Sequence, residues 1–184
     1  MQFLSKIMIS ALMLMFFGAI SHAQTSTRTI IVEDVPQPDN FYRVSASKTH
    51  SGYAVPRFVS LKYGEVNGRL GPSRQHPVLW QYQRKGMPLI VVAEMDIWRK
   101  VRDINGDESW MRKSSITRVN KVVAISEIKI RRRAKDTAAI TAIADKDALL
   151  DLIECNDSGW CKVRATEGSK GWVKRASLWG SGPL

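Results

Sequence analysis

Two five-residue runs carry the side chains best suited to recognition. Trp98-Arg99-Lys100-Val101-Arg102 and Trp160-Cys161-Lys162-Val163-Arg164 each open on an indole and place cations two and four residues later. Successive side chains of a strand point to opposite faces. Val101 and Val163 require the interior, so Trp98, Lys100 and Arg102, and likewise Trp160, Lys162 and Arg164, are expected on an outer strip. The chemistry of such a strip is binding. An indole stacks on a sugar ring or packs on proline, while cations meet carboxylates or phosphates. The structural alternative is that a neighbouring loop covers each tryptophan and the cations are merely solvated.

Cys155 and Cys161 are the two cysteines of the chain. A hairpin centred on Ser158 places them opposite each other, and in an oxidising compartment they are expected to form a disulfide. Their spacing is not that of a redox-active or zinc motif. The same register puts Val163 with Cys161, and Ile153 with Cys155, on the inner face. Trp110 and Trp172 are expected in the core, and Trp179 against the C-terminal end.

Residues for catalysis are lacking. Of the three histidines, His22 belongs to an apolar leader, His50 to a polar segment, and His76 sits beside Pro77 in a predicted loop. No serine has a nucleophile-elbow context, and a disulfide leaves no thiol for Cys–His chemistry. No His, Cys, Asp or Glu cluster has metal spacing, no carboxylate dyad stands out, and the glycine signals are too short for a phosphate loop. No catalytic residue, metal or cofactor is expected, and the protein is not expected to be an enzyme.

The elements that must position these residues occur twice. Residues 66–116 and 128–178 align at a constant shift of 62, pairing Trp98 with Trp160, Lys100 with Lys162, Gly106 with Gly168 and Trp110 with Trp172. Self-similarity at a fixed period marks a repeated structural unit. Short apolar runs at 89–93, 98–102 and 109–112, and at 149–154, 160–165 and 171–174, predict strands separated by turn signals. Residues 137–150 are Ala-rich and helical on propensity alone, but their counterpart in the first copy is rich in proline and glycine. The expected fold class is all-β, two small barrels in tandem. At this shift the counterparts of the cysteines are Ala93 and Arg99. Trp80 and Tyr82 have the small counterparts Ala142 and Ala144, which implies either a larger core or a groove peculiar to the first copy.

Upstream, residues 1–23 have the order of a secretory signal peptide: Lys6, an apolar run of 14 residues from Ile7 to Ile20, and small residues Ser21 and Ala23 before the expected cut. The run is shorter than the about 20 residues of a membrane span. Residues 24–56 are expected to form a flexible tether, 57–119 the first domain and 120–184 the second. The expected location is exported, periplasmic or extracellular. The full chain carries +11 and, without Lys6, the exported part carries 27 basic against 17 acidic side chains, or +10. That charge implies weak, salt-sensitive contact with anionic surfaces. No specific nucleic-acid partner is expected.

Val66-x-x-Arg69-x-Gly71-Pro72-Ser73, then Trp98-x-Lys100-Val101 and Trp110, together resemble a bacterial SH3 domain, and Trp160-Cys161-Lys162-Val163 with Gly171-Trp172-Val173 resembles the same module. Gly68 stands where the family usually has Leu or Val, and Ser109 where it usually has Gly. The resemblance implies SH3-like barrels and a ligand groove lined by the tryptophan that opens the strand, Trp98 or Trp160. It also implies a non-catalytic binding protein of the envelope, recognising peptidoglycan or a wall-associated protein. The alternatives are a protein–protein adaptor of a periplasmic complex and an accessory domain to a cell-wall hydrolase.

Overall fold

The computed structural model describes residues 42–118, 121–182 and 184. The expected signal peptide, and the expected tether as far as residue 41, lie outside the described residues. Among the described residues there is no α-helix. The first barrel consists of β1 (Arg57–Leu61), β2 (Val66–Arg69), β3 (Val78–Tyr82), β4 (Pro88–Met95), β5 (Trp98–Arg102), β6 (Glu108–Arg112) and β7 (Ile116–Thr117). The second repeats it with β8 (Lys121–Ala124), β9 (Ile128–Arg131), β10 (Ile140–Ala144), β11 (Leu149–Cys155), β12 (Trp160–Arg164), β13 (Lys170–Lys174) and β14 (Leu178–Trp179). The antiparallel orders match: β3-β2-β6-β5-β4-β1-β7 and β10-β9-β13-β12-β11-β8-β14. The Ala-rich stretch forms β10 and the start of β11, as the repeat requires.

The constant shift of 62 needs a correction. It holds for β2, β3, β5, β6 and β7 and their counterparts, but β4 superposes on β11 at 61. Val91 pairs with Val101 and Glu94 with Arg99, whereas Leu152 pairs with Val163 and Cys155 with Cys161. The segment before β11 is one residue shorter than that before β4, and the β11–β12 turn one residue longer. The two changes cancel. The structural counterpart of Cys155 is therefore Glu94, not Ala93. Both hairpins also carry a bulge, after Val91 and after Leu152. A bulge inserts an unpaired residue and breaks the alternation of faces. Ile153 is that residue, and it is 44% exposed rather than inward.

Each barrel has its own core. Val59, Leu61, Leu89, Val91, Val101 and Met111 fill the first, and Val122, Ile130, Leu150, Cys161, Val163 and Val173 the second. A size exchange adapts one scaffold to two sequences. In the first barrel a Cβ on Gly68 would lie 2.5 Å from Ser109 Oγ, and the space beside it is taken by Trp80 and by Tyr82, whose hydroxyl is 3.2 Å from Ser109 Oγ. In the second, Ile130 replaces Gly68 and Gly171 replaces Ser109, with Ala142 and Ala144 in place of the aromatics; a Cβ on Gly171 would lie 2.7 Å from Ile130. Trp80 and Tyr82 thus enlarge the core. Burial pushes the Tyr82 hydroxyl pKa up, against the lowering effect of its hydrogen bond to Ser109.

Residues 42–56 are not a free tether. Val44 and Val55 bridge each other at 2.8 and 3.0 Å, Val55 is 3% exposed within the first core, and Ser51 is hydrogen-bonded to Glu94. The sequence gives no apolar period here because single valines, not a face, make the contacts.

The two barrels touch directly and lie within one compact unit. Trp179 of β14 meets Phe58 of β1 edge to face at 5.4 Å, so it packs on the first barrel as well as closing the second. The Lys121 amide donates to Ser60 Oγ at 3.3 Å, Arg84 donates to the Asp147 carbonyl at 2.7 Å, and Arg43 donates to the Leu184 carbonyl. Gly180 has φ +101°, and a Cβ there would lie 2.8 Å from the Lys121 carbonyl and 3.1 Å from Pro88. Both conformation and space require glycine at this point.

Candidate functional site

Trp98 opens β5 just after the tight turn at Asp96, whose φ of 49° an aspartate tolerates. Across the sheet Trp98 pairs with Arg112, and Trp160 with Lys174. The loop between β2 and β3, residues 70–77, lines a cleft together with Trp98 through Ser73, Arg74 and Gln75. Arg69 fixes that loop by donating to the His76 carbonyl at 2.9 Å and the Arg74 carbonyl at 3.2 Å, and Ser73 Oγ lies 2.8 Å from His76 Nδ1. Arg131 does the same in the second barrel, donating to the Ala138 carbonyl at 2.8 Å.

Each tryptophan consequently forms the wall of a cleft. In the first barrel the cleft holds about 420 Å³ and is lined by Ser73, Arg74, Gln75, Ile97, Trp98 and Arg112. In the second it holds about 210 Å³, with Trp160, Lys174, Asp136, Arg131 and Glu127 among its walls. Lys174 Nζ stands 5.7 Å from the Trp160 ring and pairs with Asp136 at 2.9 Å. A nearly buried indole, 8% exposed, beside a cation suits a ligand that brings a small apolar group to the indole's exposed margin and an anionic or carbonyl group to the cation.

The expected outer strip is divided. Trp98 and Trp160 stand in register with Lys100 and Lys162, but each is only 8% exposed, so neither indole lies open on an outer strip. Lys100 and Arg102 face Glu108 instead: Lys100 Nζ lies 2.5 Å from it, and Arg102 binds the same carboxylate at 2.6 and 2.9 Å. Burial acts to raise the Glu108 pKa, but the hydrogen bonds and charges of these two cations outweigh it and hold the carboxyl below its ordinary value. In the second barrel Lys162 lies 3.6 Å from Glu154, and exposed Arg164 is opposite Lys170, which replaces Glu108.

Trp110 and Trp172, expected in the core, are half-buried on the outer face, because Met111 and Val173 take the inward positions. Lys100 is opposite Trp110, and Lys162 Nζ stands 5.9 Å from the Trp172 ring. The residues that sequence reasoning missed are the loop residues Ser73 to Gln75, Asp136, and the pair Arg112 and Lys174. The cation conserved in type between the two copies, directly across from each tryptophan, was the available signal. Cys155 and Cys161 are bonded, with Cα atoms 4.0 Å apart.

Compared with known proteins, residues 62–117 and 125–180 each match the bacterial SH3 domain. Among curated proteins none matches the chain. Two solved structures are similar: NlpC2 from Trichomonas vaginalis, 12% identical over 68% of this chain and 48% of that one with a TM-score of 0.31, and NlpC1 from the same organism, 15% identical over 73% and 48% with a TM-score of 0.31. The chain spans about half the length of these two proteins. The two matched segments cover more than half of the chain and coincide with the two barrels, and the chain therefore belongs to the bacterial SH3 domain family.

Proposed function

We propose that this is a non-catalytic binding protein of the cell envelope, exported to the periplasm or beyond, that holds peptidoglycan through two tryptophan-walled clefts. The observation that carries the reading is recurrence. Three equivalent positions, the indole, the cation opposite it and one residue of the stapled loop (Arg74 or Asp136), line a cleft in both domains although the rest of the lining and the cores differ. Two weak sites on one chain raise the effective affinity without a new contact. The export half of the proposal rests on the n-, h- and c-region order of residues 1–23.

A second reading, an adaptor that binds an extended segment of an envelope protein, is favoured by one feature. β3 and β10 end their sheets and expose Val78, Leu79, Ile140 and Ile143, which suits strand addition. Co-sedimentation with purified peptidoglycan separates the two: the proposed function expects saturable binding to the polymer alone, the adaptor expects none.

A further inference from the structure

The first barrel holds another cavity, of about 460 Å³, which shares no lining residue with the tryptophan cleft. The ordered N-terminal segment builds one wall with His50, Ser51 and Tyr53. β1 contributes Arg57 and Val59, β5 contributes Arg99, and the chain after β6 contributes Lys113, Ile116 and Arg118.

The charge there is one-sided. Arg99 is a buried cation, with its side chain 4% exposed, and it faces Glu94, whose side chain is 2% exposed, at 3.2 Å. Glu94 also accepts from the Ser51 amide at 2.9 Å, Ser51 Oγ at 2.7 Å and Arg57 at 2.5 Å. Arg57 also donates to the Ala54 carbonyl at 3.1 Å, and Arg99 to the Asp96 and Trp98 carbonyls at 2.8 and 2.7 Å, so one carboxylate and neutral carbonyls answer two cations, while Lys113 and Arg118 are exposed at the mouth. Tyr53 lies between cations, 4.7 Å from the Arg118 guanidinium and 5.6 Å from that of Arg57.

The second barrel shows that the fold does not need this arrangement. There Cys155 and Cys161 replace Glu94 and Arg99, Arg175 replaces Lys113 and Gly180 replaces Arg118. A buried ion pair seldom stabilises more than a well-packed apolar substitute, so packing alone does not account for Arg99 at the back of a cavity rich in cations. Val59 and Ile116 add apolar surface beside the charges.

We propose that this cavity binds a small organic oxyanion, a terminal carboxylate or a phosphate monoester. Arg118 and Lys113 contact the anion at the mouth, Arg57 and Arg99 set the positive potential behind it, and Val59, Ile116 and the Tyr53 ring hold the organic body. The site is separate from the two tryptophan clefts, since no lining residue is shared, and either reading can fail without the other.

The test is a nuclear magnetic resonance titration of the full chain at low salt with three probes: N-acetyl-alanyl-alanine, its C-terminal amide, and phenyl phosphate. The expected result is a saturable shift at Tyr53 and Arg99 with at least one acid, none with the amide, and roughly tenfold weaker binding in Arg118→Ala, partly restored in Arg118→Lys. The tighter of the two acids identifies the source of the oxyanion. Arg118 is exposed, so the fold survives the change. The absence of a saturable shift with both acids, an equal response to the amide, or unchanged affinity in Arg118→Ala overturns the proposal.

Discussion

Glu94 shows how much one carboxylate can carry. Burial acts to raise its pKa, but hydrogen bonds from Ser51 and Arg57 and the charges of Arg57 and Arg99 prevail, and its pKa lies below the ordinary value. A carboxyl depressed in this way stabilises the fold fully above its unfolded pKa, and the contribution is lost as pH falls through the folded value. The first barrel should therefore weaken as pH drops below about 4.3, the unfolded value for glutamate. Glu94→Gln keeps the size, removes the charge and leaves two cations without their carboxylate. It should lower stability at pH 7 by about 3 kcal/mol and flatten the acid limb in urea melts run from pH 7 to pH 3. Parallel acid limbs in parent and variant would contradict the account. The tryptophans teach a different lesson at this scale. Alternation in the sequence indicated which face Trp98 and Trp160 share, but not that each is only 8% exposed, nor that a loop eight residues long, fixed by Arg69, stands beside Trp98. Sequence order along a strand carries the direction of a side chain. What lies above it depends on a distant segment.

At the scale of the element, the hairpin of each barrel solves one problem twice. The same cross-strand position is closed by Glu94 and Arg99 in the first barrel and by the Cys155–Cys161 disulfide in the second. The strands were legible because their short apolar runs and turn residues recur. The exact alignment of β4 with β11 was not, because a shortened loop and a lengthened turn cancel and leave the overall shift at 62. The bulge was hidden for a similar reason, since Ile153 has the composition of an inward residue and only backbone pairing reveals that it is the extra one. If the positions are equivalent, the staple should be transferable. Glu94→Cys with Arg99→Cys should oxidise to an intramolecular disulfide under mild conditions, detected as a loss of two mass units and of two titratable thiols. Persistent thiols, or mainly intermolecular bonding, would show the hairpins to be unlike. Conversely, Cys155→Ser with Cys161→Ser should cost about 2 kcal/mol, as suits the closure of a short loop.

At the scale of the molecule, the two domains are joined by contacts as well as by sequence. Phe58, Ser60 and Pro88 of the first barrel meet Trp179, Lys121 and Gly180 of the second. This junction was not legible beforehand. Trp179 has the same composition signal whether it packs within its own domain or on its neighbour, and a glycine forced by a neighbouring backbone looks like any turn glycine. Trp179→Ala should cost about 2 kcal/mol and split one calorimetric transition into two as the barrels lose their coupling; a single transition of unchanged midpoint would mean that the junction carries no energy. Coupled barrels also bear on function, because a fixed separation of the two tryptophan clefts favours a polymer whose repeats meet both. The most direct test of that claim is co-sedimentation with purified peptidoglycan at about 0.15 M salt, where the screening length is about 8 Å, comparing the parent with Arg112→Ala plus Lys174→Ala. These two cations lie opposite Trp98 and Trp160, and Lys174 is exposed. The parent should still bind, and the double variant, with an unchanged melt, should bind at least tenfold more weakly. Complete loss of parent binding at that salt, or a double variant that sediments like the parent, would contradict that claim.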